Sequence, residues 1–498
     1  MRDHVPPSER PLPATHTTPS AQDRPSQAGA AAAMDLTEAS AAGAAPGASD
    51  VDADLDVIII GGGPAGSACA LTLARQGRRV LVLEKAAFPR FHLGESLLPY
   101  GTTVLRRLGV LDAVAASDAV VKRGAEFCST DPSHFRRVDF VSRDAERADY
   151  AFQVERAQFD ALLLEQAARA GAQVIQQARV TDLILAADGR VRGVVYVAHA
   201  DQAPQRVTAR WIVDASGRAG VIAQRFQLRQ ANPRLRMVAL FRHYTGCDER
   251  ANPGVQGDIQ VGYHADGWVW AIPIHETVLS VGVVTARDAL PAQNPMTGAD
   301  QVFAEHVGRI PRIAQRLPAA PPPPVRMETD FCYGCQQAWG PGFLLVGDAA
   351  CFADPVFSAG VFLGLATGER AGQTIHDLLD DQEATASRSA ARVQAQMERE
   401  AAALRAYDRF LKTGFDTYFR IIYGFYAAGC DFRQYLKWRL GRVADANYWI
   451  TRTLAGDFWT AENPITTDLR SERAWDTFAP YDPLYGCPVY GDAPRSMG

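Results

Sequence analysis

The 498-residue chain predicts an α/β protein in which a parallel sheet is interrupted by an antiparallel one and followed by helices. Three observations predict it. A β-branched run, Asp56-Val-Ile-Ile-Ile60, ends in the glycine-rich Gly61-Gly-Gly63-Pro-Ala-Gly66. The stretch from about 226 to 325 alternates apolar and polar residues around Trp268-Val-Trp270-Ala-Ile-Pro273. From about 365 to 455 the pattern becomes helical.

Taken in order, residues 1 to about 50 are rich in Ala, Pro, Ser and Thr without a hydrophobic period. Such a segment buries too little apolar surface to offset ordering entropy, and is expected to be disordered. It has no basic stretch leading into an apolar one, so it does not read as a secretory signal. Met34, before Asp-Leu-Thr-Glu, is a candidate second start. Asp56–Ile60 reads as a buried parallel strand, Pro64–Gln76 as a helix ended by Gly77, and Val80–Glu84 as the next strand. This is a Rossmann-like βαβ opening. Arg156–Ala170 reads as a helix, with strands at Gln173–Gln176 and Val191–Val197 on either side of a turn at Asp188-Gly189. Trp211–Asp214 is a further buried strand. Pro318–Pro324 is a proline-dense connector, and Gly342–Asp348 returns to the first domain's pattern. The expected division is 1–50, then a discontinuous nucleotide-binding domain over 51–375 with the inserted sheet at 226–325. A helical C-terminal region over 376–498 completes it.

Hydrophobic residues at 47% and charged residues at 21% describe a globular enzyme-sized chain with two or three packed units. A net charge of −5 gives no basic footprint for nucleic acid. No apolar run approaches the ~18 residues of a membrane span. The eight cysteines lack the density of a disulfide scaffold and point to reduced thiols in a cytoplasm. Cys332-Tyr-Gly-Cys335 has no second pair or histidines at ligand spacing, so no metal site is expected.

Glycines at 61, 63 and 66 allow a tight turn, backbone approach to a pyrophosphate and close helix–strand contact. The helix start beyond Ala65 supplies amide donors. Glu84, at the end of the next strand, is placed to accept from ribose hydroxyls. Three later segments, Arg156-Ala-Gln-Phe-Asp160, Asp214-Ala-Ser-Gly-Arg218 and Gly347-Asp348-Ala-Ala, resemble motifs of the para-hydroxybenzoate-hydroxylase-type flavoproteins. The resemblance implies FAD, with Arg156 and Asp348 among its ligands. Phe91-His-Leu-Gly-Glu95-Ser96-Leu-Leu-Pro99 resembles the Gly-Glu-Ser loop that halogenases place beside the flavin, and geranylgeranyl reductases carry similar loops, so it supports the wider group. The Trp268/Trp270 motif narrows it: together with the glycine loop it resembles the flavin-dependent halogenases, most closely the branch acting on phenols and pyrroles.

Lysine is scarce: Lys85, Lys122, Lys412 and Lys437 stand against 47 arginines. Lys122, in Val-Val-Lys-Arg-Gly-Ala-Glu-Phe, resembles the halogenase stretch that carries the catalytic amine. A primary amine can take up a halogen; a guanidinium is always protonated and too weakly nucleophilic. The bland alternative is a surface lysine beginning a strand. Asp354-Pro-Val-Phe357-Ser-Ala359-Gly360 resembles the family's halide turn, which implies that the amides of Ala359 and Gly360 hold chloride or bromide. Phe357 stands where the tryptophan-specific branch has a glutamate, so the general base stays unassigned. The resemblance puts Trp268 and Trp270 beside the flavin, separating the substrate from it. Phe415, Tyr418, Phe419, Tyr423, Phe425 and Tyr426 are candidates to roof the substrate cavity, although an aromatic stripe is more often plain core.

The resemblance implies FAD used as FADH2, with halide and O2 as cosubstrates. It also implies a separate flavin reductase and an aromatic substrate, free or tethered to a carrier protein. The alternatives are a flavin aromatic hydroxylase and a prenyl-lipid reductase of the geranylgeranyl type.

Overall fold

The computed structural model describes residues 49–199, 202–231, 236–247, 256–291, 293–329, 332–384, 390–427 and 444–470. The expectations for residues 1–48, for Met34 and for the tail beyond 470 lie outside the described residues. So do those for the side chains of Tyr423 and Tyr426.

The first sheet has eight strands among the described residues. Its parallel strands run in the order Phe343–Leu345, Gln205–Asp214, Ser49–Ile60, Val80–Glu84, Gln173–Gln176. The chain thus starts in the middle and winds out both ways, which opens a crevice beside Ile60, where Leu83 and Asp214 sit in register with it. Val57, Ile58 and Ile59 are fully buried, as a strand covered on both faces requires. Helix Pro64–Arg75 covers one face and is crossed by helix Gly360–Ala384. The crossing is close: a Cβ on Gly368 would lie 2.2 Å from the Ala65 carbonyl oxygen.

The Asp188-Gly189 turn joins different strands from those expected. It connects Ala178–Leu185 to Val191–Ala198, an antiparallel hairpin extending from Gln205–Asp214. Gln173–Gln176 instead completes the parallel edge. The half-exposed Ala178–Leu185 strand has a weak alternation, with burial irregular along its length, which hid it in the sequence.

The second sheet has seven strands and reaches beyond 226–325. Met237–Thr245, Val278–Ala286, Gly267–His275 and Ile259–His264 form its antiparallel centre. Arg326–Thr329 joins one edge, while Gly124–Cys128 and Phe135–Asp139 join the other. The strand Gly124–Cys128 pairs parallel with Ile259–His264, a long-range match that no local pattern announces. One face of this sheet buries Val238, Leu240, Val269 and Val281 against helices Ala299–Gly308 and Pro311–Ala314. The alternation of side chains then turns Phe241, Trp268 and Trp270 to the opposite face. That face looks into the cavity.

Helix Ala390–Ala427, 38 residues long, and helices Ala446–Leu454 and Pro464–Arg470 make up the described C-terminal region. None of the described helices is long and apolar enough to cross a membrane.

Candidate active site

A cavity of about 580 Å³ lies between the two sheets. Gly61, Gly63, Ala65, Glu84, Glu95, Ser96, Arg156, Trp268, Trp270, Asp348 and Gly360 all line it. Eleven of the residues singled out in the sequence therefore meet in one place, from segments spread over 300 positions. Gly66, Lys122 and Ala359 do not line it, though Lys122 donates to Ser96, which does.

The nucleotide end follows from the glycine turn. Gly61, at φ +106°, has only 2.4 Å between a Cβ position and the Ala215 carbonyl oxygen, so a side chain is excluded. Gly66 packs on the Gly61 carbonyl so closely that a Cβ there would lie 2.0 Å from its oxygen, which excludes a side chain at this position too. Gly63 differs. A Cβ there would meet nothing closer than the Arg90 guanidinium at 3.5 Å, so Gly63 opens toward the cavity. No side chain caps the start of helix Pro64–Arg75. Its first-turn amides and positive dipole end are left for an anion. Glu84 is 4% exposed and accepts from the amides of Gly62 and Ala86, both at 2.8 Å. These bonds fix the carboxylate at the cavity wall, and each oxygen keeps a lone pair for a ribose hydroxyl.

Arg156 is held on every side. Its Nε and one terminal nitrogen donate to Asp160 at 2.8 and 3.0 Å, and the other nitrogen donates to the carbonyl of Leu93 at 2.6 Å. Arg90 adds a second cation on Asp160, 3.1 Å away. The bridge pins the Phe91–Pro99 loop to helix Arg156–Arg169. Asp348 is the opposite case, because among the described residues its carboxylate accepts no hydrogen bond. Burial pushes its carboxyl up to about 7, against the pull of Arg156, Arg218 and Arg229. An uncommitted carboxyl at a cavity wall, an open glycine and an uncapped helix start are what a flavin dinucleotide requires. The residues fit FAD.

The tryptophans stand two apart on one strand and so share a face. Their ring centroids are 5.7 Å apart at 44°, and Trp270 Nε1 donates to Ser280 Oγ at 3.2 Å. Gly282 on the neighbouring strand makes room, since a Cβ there would lie 2.1 Å from the Trp270 ring. Both indoles are almost fully buried.

The Asp354–Gly360 turn is built by its own side chains and by the long C-terminal helix. Asp354 accepts from the Val356 amide at 3.0 Å, and Ser358 takes φ +60° before the helix begins at Gly360. Tyr418, which also lines the cavity, donates to the Asp354 carbonyl at 2.6 Å. The amides of Ala359 and Phe357 point at its phenolic oxygen. Phe357 is packed between Phe127 and Phe425, with centroids at 6.4 and 5.6 Å.

Lys122 ends a short strand, Val120–Lys122, rather than beginning one, and it is 1% exposed. The surface-lysine alternative falls. Its Nζ donates to Ser96 Oγ at 2.8 Å and to the Leu97 carbonyl at 2.9 Å, with the Phe140 ring centroid 5.3 Å away. Burial pulls its pKa from 10.5 down to about 7, and the Asp258 carboxylate opposes the fall. Burial thus favours the neutral, nucleophilic form of the amine far more than in water.

Comparison with known proteins decides the family. Residues 56–138 and 136–417 match the model of the tryptophan halogenase family. The chain belongs to the flavin-dependent halogenases. Over 338 residues this halogenase is 35% identical to the 1H-pyrrole-2-carbonyl-[peptidyl-carrier protein] chlorinase of Pseudomonas fluorescens, covering 63% of this chain and 74% of that protein. It is 34% identical to a flavin-dependent halogenase of Armillaria mellea, with 62% of each chain covered. Its fold matches the flavin-dependent brominase Bmp2 with a TM-score of 0.70 and 26% identity, over 84% of this chain and 98% of that one. Membership brings FAD chemistry with halide and O2, and neither the hydroxylase nor the prenyl-lipid reductase reading is favoured.

Several contacts of the halogenase site had no signal in the sequence. His243 Nε2 lies 2.6 Å from Glu95 Oε1. The Leu97 carbonyl and Phe140 complete the lysine's surroundings. Asp258, 136 positions beyond Lys122, follows an unremarked glycine. The Arg156–Asp160 pair was partly legible, as residues four apart on one helix. The six described cysteines are all buried and outside any disulfide, Cys332 and Cys335 among them, and burial raises the Cys335 thiol.

Proposed function

We propose that this halogenase places chlorine or bromine on an electron-rich phenolic or pyrrolic ring through the amine of Lys122. The observation that carries the reading is a buried lysine, held by two acceptors one side chain behind the flavin-sized cavity, with its pKa drawn to about 7. Gly61, Gly63, Ala65, Gly66, Glu84, Glu95, Ser96, Arg156 and Asp348 would hold FAD. When reduced, it supplies with O2 the oxidation of halide to hypohalous acid.

The chain's own residues do the rest. The Gly360 amide, at the cavity wall and at the start of a helix where the dipole favours an anion, would hold the halide, and the Ala359 amide would join it by turning from the Tyr418 oxygen. Trp268 and Trp270 wall the aromatic ring from the flavin while leaving room for a small halogen species. At Lys122 two of the nitrogen's positions are anchored by Ser96 and Leu97, which leaves one lone pair for reaction. The neutral amine and hypohalous acid give an N-halogenated lysine and water. The ring then attacks the halogen, the N–halogen bond breaks, and the ring proton restores the amine.

Phe357, between Phe127 and Phe425, offers no carboxylate to activate the ring. A substrate with its own hydroxyl or pyrrole nitrogen supplies that activation itself. The similarity to a pyrrolyl-carrier chlorinase supports such a ring, free or tethered to a carrier protein. The C-terminal helices, through Tyr418 and Phe425, would roof the substrate. A separate flavin reductase, in the cytoplasm, would deliver FADH2.

The test is mass spectrometry of products from phenols, free and carrier-bound pyrroles and tryptophan. Each is incubated with a flavin reductase, FAD, NADH and either halide. Halogenation of a phenol or pyrrole is expected. Halogenation of tryptophan alone, or hydroxylation without halogen, would overturn the reading.

A further inference from the structure

Asp258 is fully buried, and the mechanism above leaves it without a task. It opens the strand Ile259–His264, far from Lys122 in sequence, yet three contacts lock it beneath the lysine strand. Its Oδ1 accepts from the amides of Arg123 and Gly124, both at 2.8 Å. These are the two residues that follow Lys122. The preceding Gly257, at φ +76°, sits on the Val121 carbonyl, where a Cβ would lie 2.1 Å from the oxygen. Gln153 Nε2 donates to the Gly257 carbonyl at 3.0 Å, and the Gln153 backbone bridges to Ser96. Ser96 is the hydroxyl that accepts from Lys122. The carboxylate therefore belongs to one closed ring of contacts: Asp258, the 123–124 amides, Lys122, Ser96, Gln153, Gly257.

We propose that Asp258 is the positioning residue for Lys122, fixing the amine against Ser96 and acting as its electrostatic counterweight. A carboxylate brought out of water at this depth is costly unless paired. Arg137, 2.7 Å from Oδ2, provides the pair. A buried amine otherwise loses its proton well below its usual range, and a nearby negative charge limits that loss. The groups facing the amine are Ser96, the Leu97 carbonyl, the Phe140 ring and Asp258. The Arg137 guanidinium and the backbone amides of Arg123 and Gly124 face Asp258 in turn. The arrangement holds the lysine near its midpoint, able to take up a halogen and to recover a proton.

The consequence for halogenation rests on the function proposed above, but the titration of Lys122 does not. The chain has four lysines, so lysine labelled with ¹³C at Cε gives few NMR signals, and Lys122→Arg identifies the one wanted. In the full-length FAD-bound protein, Asp258→Asn should move the Lys122 midpoint down by about 0.5 pH unit or more. The acid limb of the halogenation profile should move with it. Arg137→Gln, at a half-exposed side chain, should move the midpoint up, because Asp258 then acts uncompensated. It decides the matter if Asp258→Asn fails to fold. Midpoints within about 0.2 unit of wild type in the variants that fold would overturn the proposal. A shifted lysine with an unmoved halogenation profile would leave Asp258 in place and count against Lys122 as the reacting amine.

Discussion

Lys122 Nζ and Ser96 Oγ lie 2.8 Å apart, and only the serine reaches the cavity wall. The flavin space and the lysine are thus separated by a single hydroxyl. In the function proposed above, a small oxidised halogen species would have a short path to the amine, while an aromatic ring would be kept from the flavin by Trp268 and Trp270.

The nucleotide end gives the simplest prediction. Gly63→Val puts a branched side chain into the open side of the glycine turn without disturbing its neighbours, since the nearest atom to a Cβ is 3.5 Å away. The variant should fold normally and lose FAD. Stoichiometric flavin after gel filtration would show that the pyrophosphate lies elsewhere.

Burying Lys122 costs stability. Its pKa is 10.5 when solvated and about 7 in the fold, so the unfolded chain holds more protons between those values. The cost vanishes above 10.5, grows as pH falls, and is complete below about 7. At about 1.4 kcal/mol per pH unit it amounts to a few kcal/mol. Lys122→Met leaves the buried Leu97 carbonyl without its donor, while the Ser96 hydroxyl, at the cavity wall, can turn to water, so the loss offsets about 1–3 kcal/mol. The variant should melt higher than wild type at pH 6.5, with the advantage fading toward pH 10. A lower melting temperature at pH 6.5 would mark the lysine as structural.

The same midpoint sets a pH dependence. Halogen transfer needs the neutral amine, whose fraction falls about tenfold per unit below pH 7. Halogenated product per O2 consumed should rise from pH 6 and level off above about 7.5. A ratio independent of pH over 6–8 would separate the lysine's protonation from the chemistry.

Much of this was legible in the sequence, for physical reasons. Val57–Ile60 is a continuous apolar run because both faces of its strand are covered, and the turn at Gly61 excludes any Cβ. Trp268 and Trp270 share a face because strand periodicity is two. Lys122 stood out because the chain uses arginine wherever a generic cation suffices. What escaped depends on pairings across long separations. The Gly124–Cys128 strand joins Ile259–His264 over more than 130 residues, and that register alone brings Asp258 under Lys122. The Ala178–Leu185 strand escaped because its half-exposed face carries no clean alternation.

The most direct test of the account separates flavin oxidation from halogen transfer in one variant. Supplied with reduced FAD, O2 and halide, Lys122→Ala should still consume oxygen and release hydrogen peroxide. Its halogenated product should fall by about a hundredfold or more, as expected when a reacting side chain is removed. Lys122→Arg should fail in the same way, because it keeps the charge but not the nucleophile. Retention of more than about a tenth of wild-type halogenation in either variant would contradict the central claim that Lys122 carries the halogen.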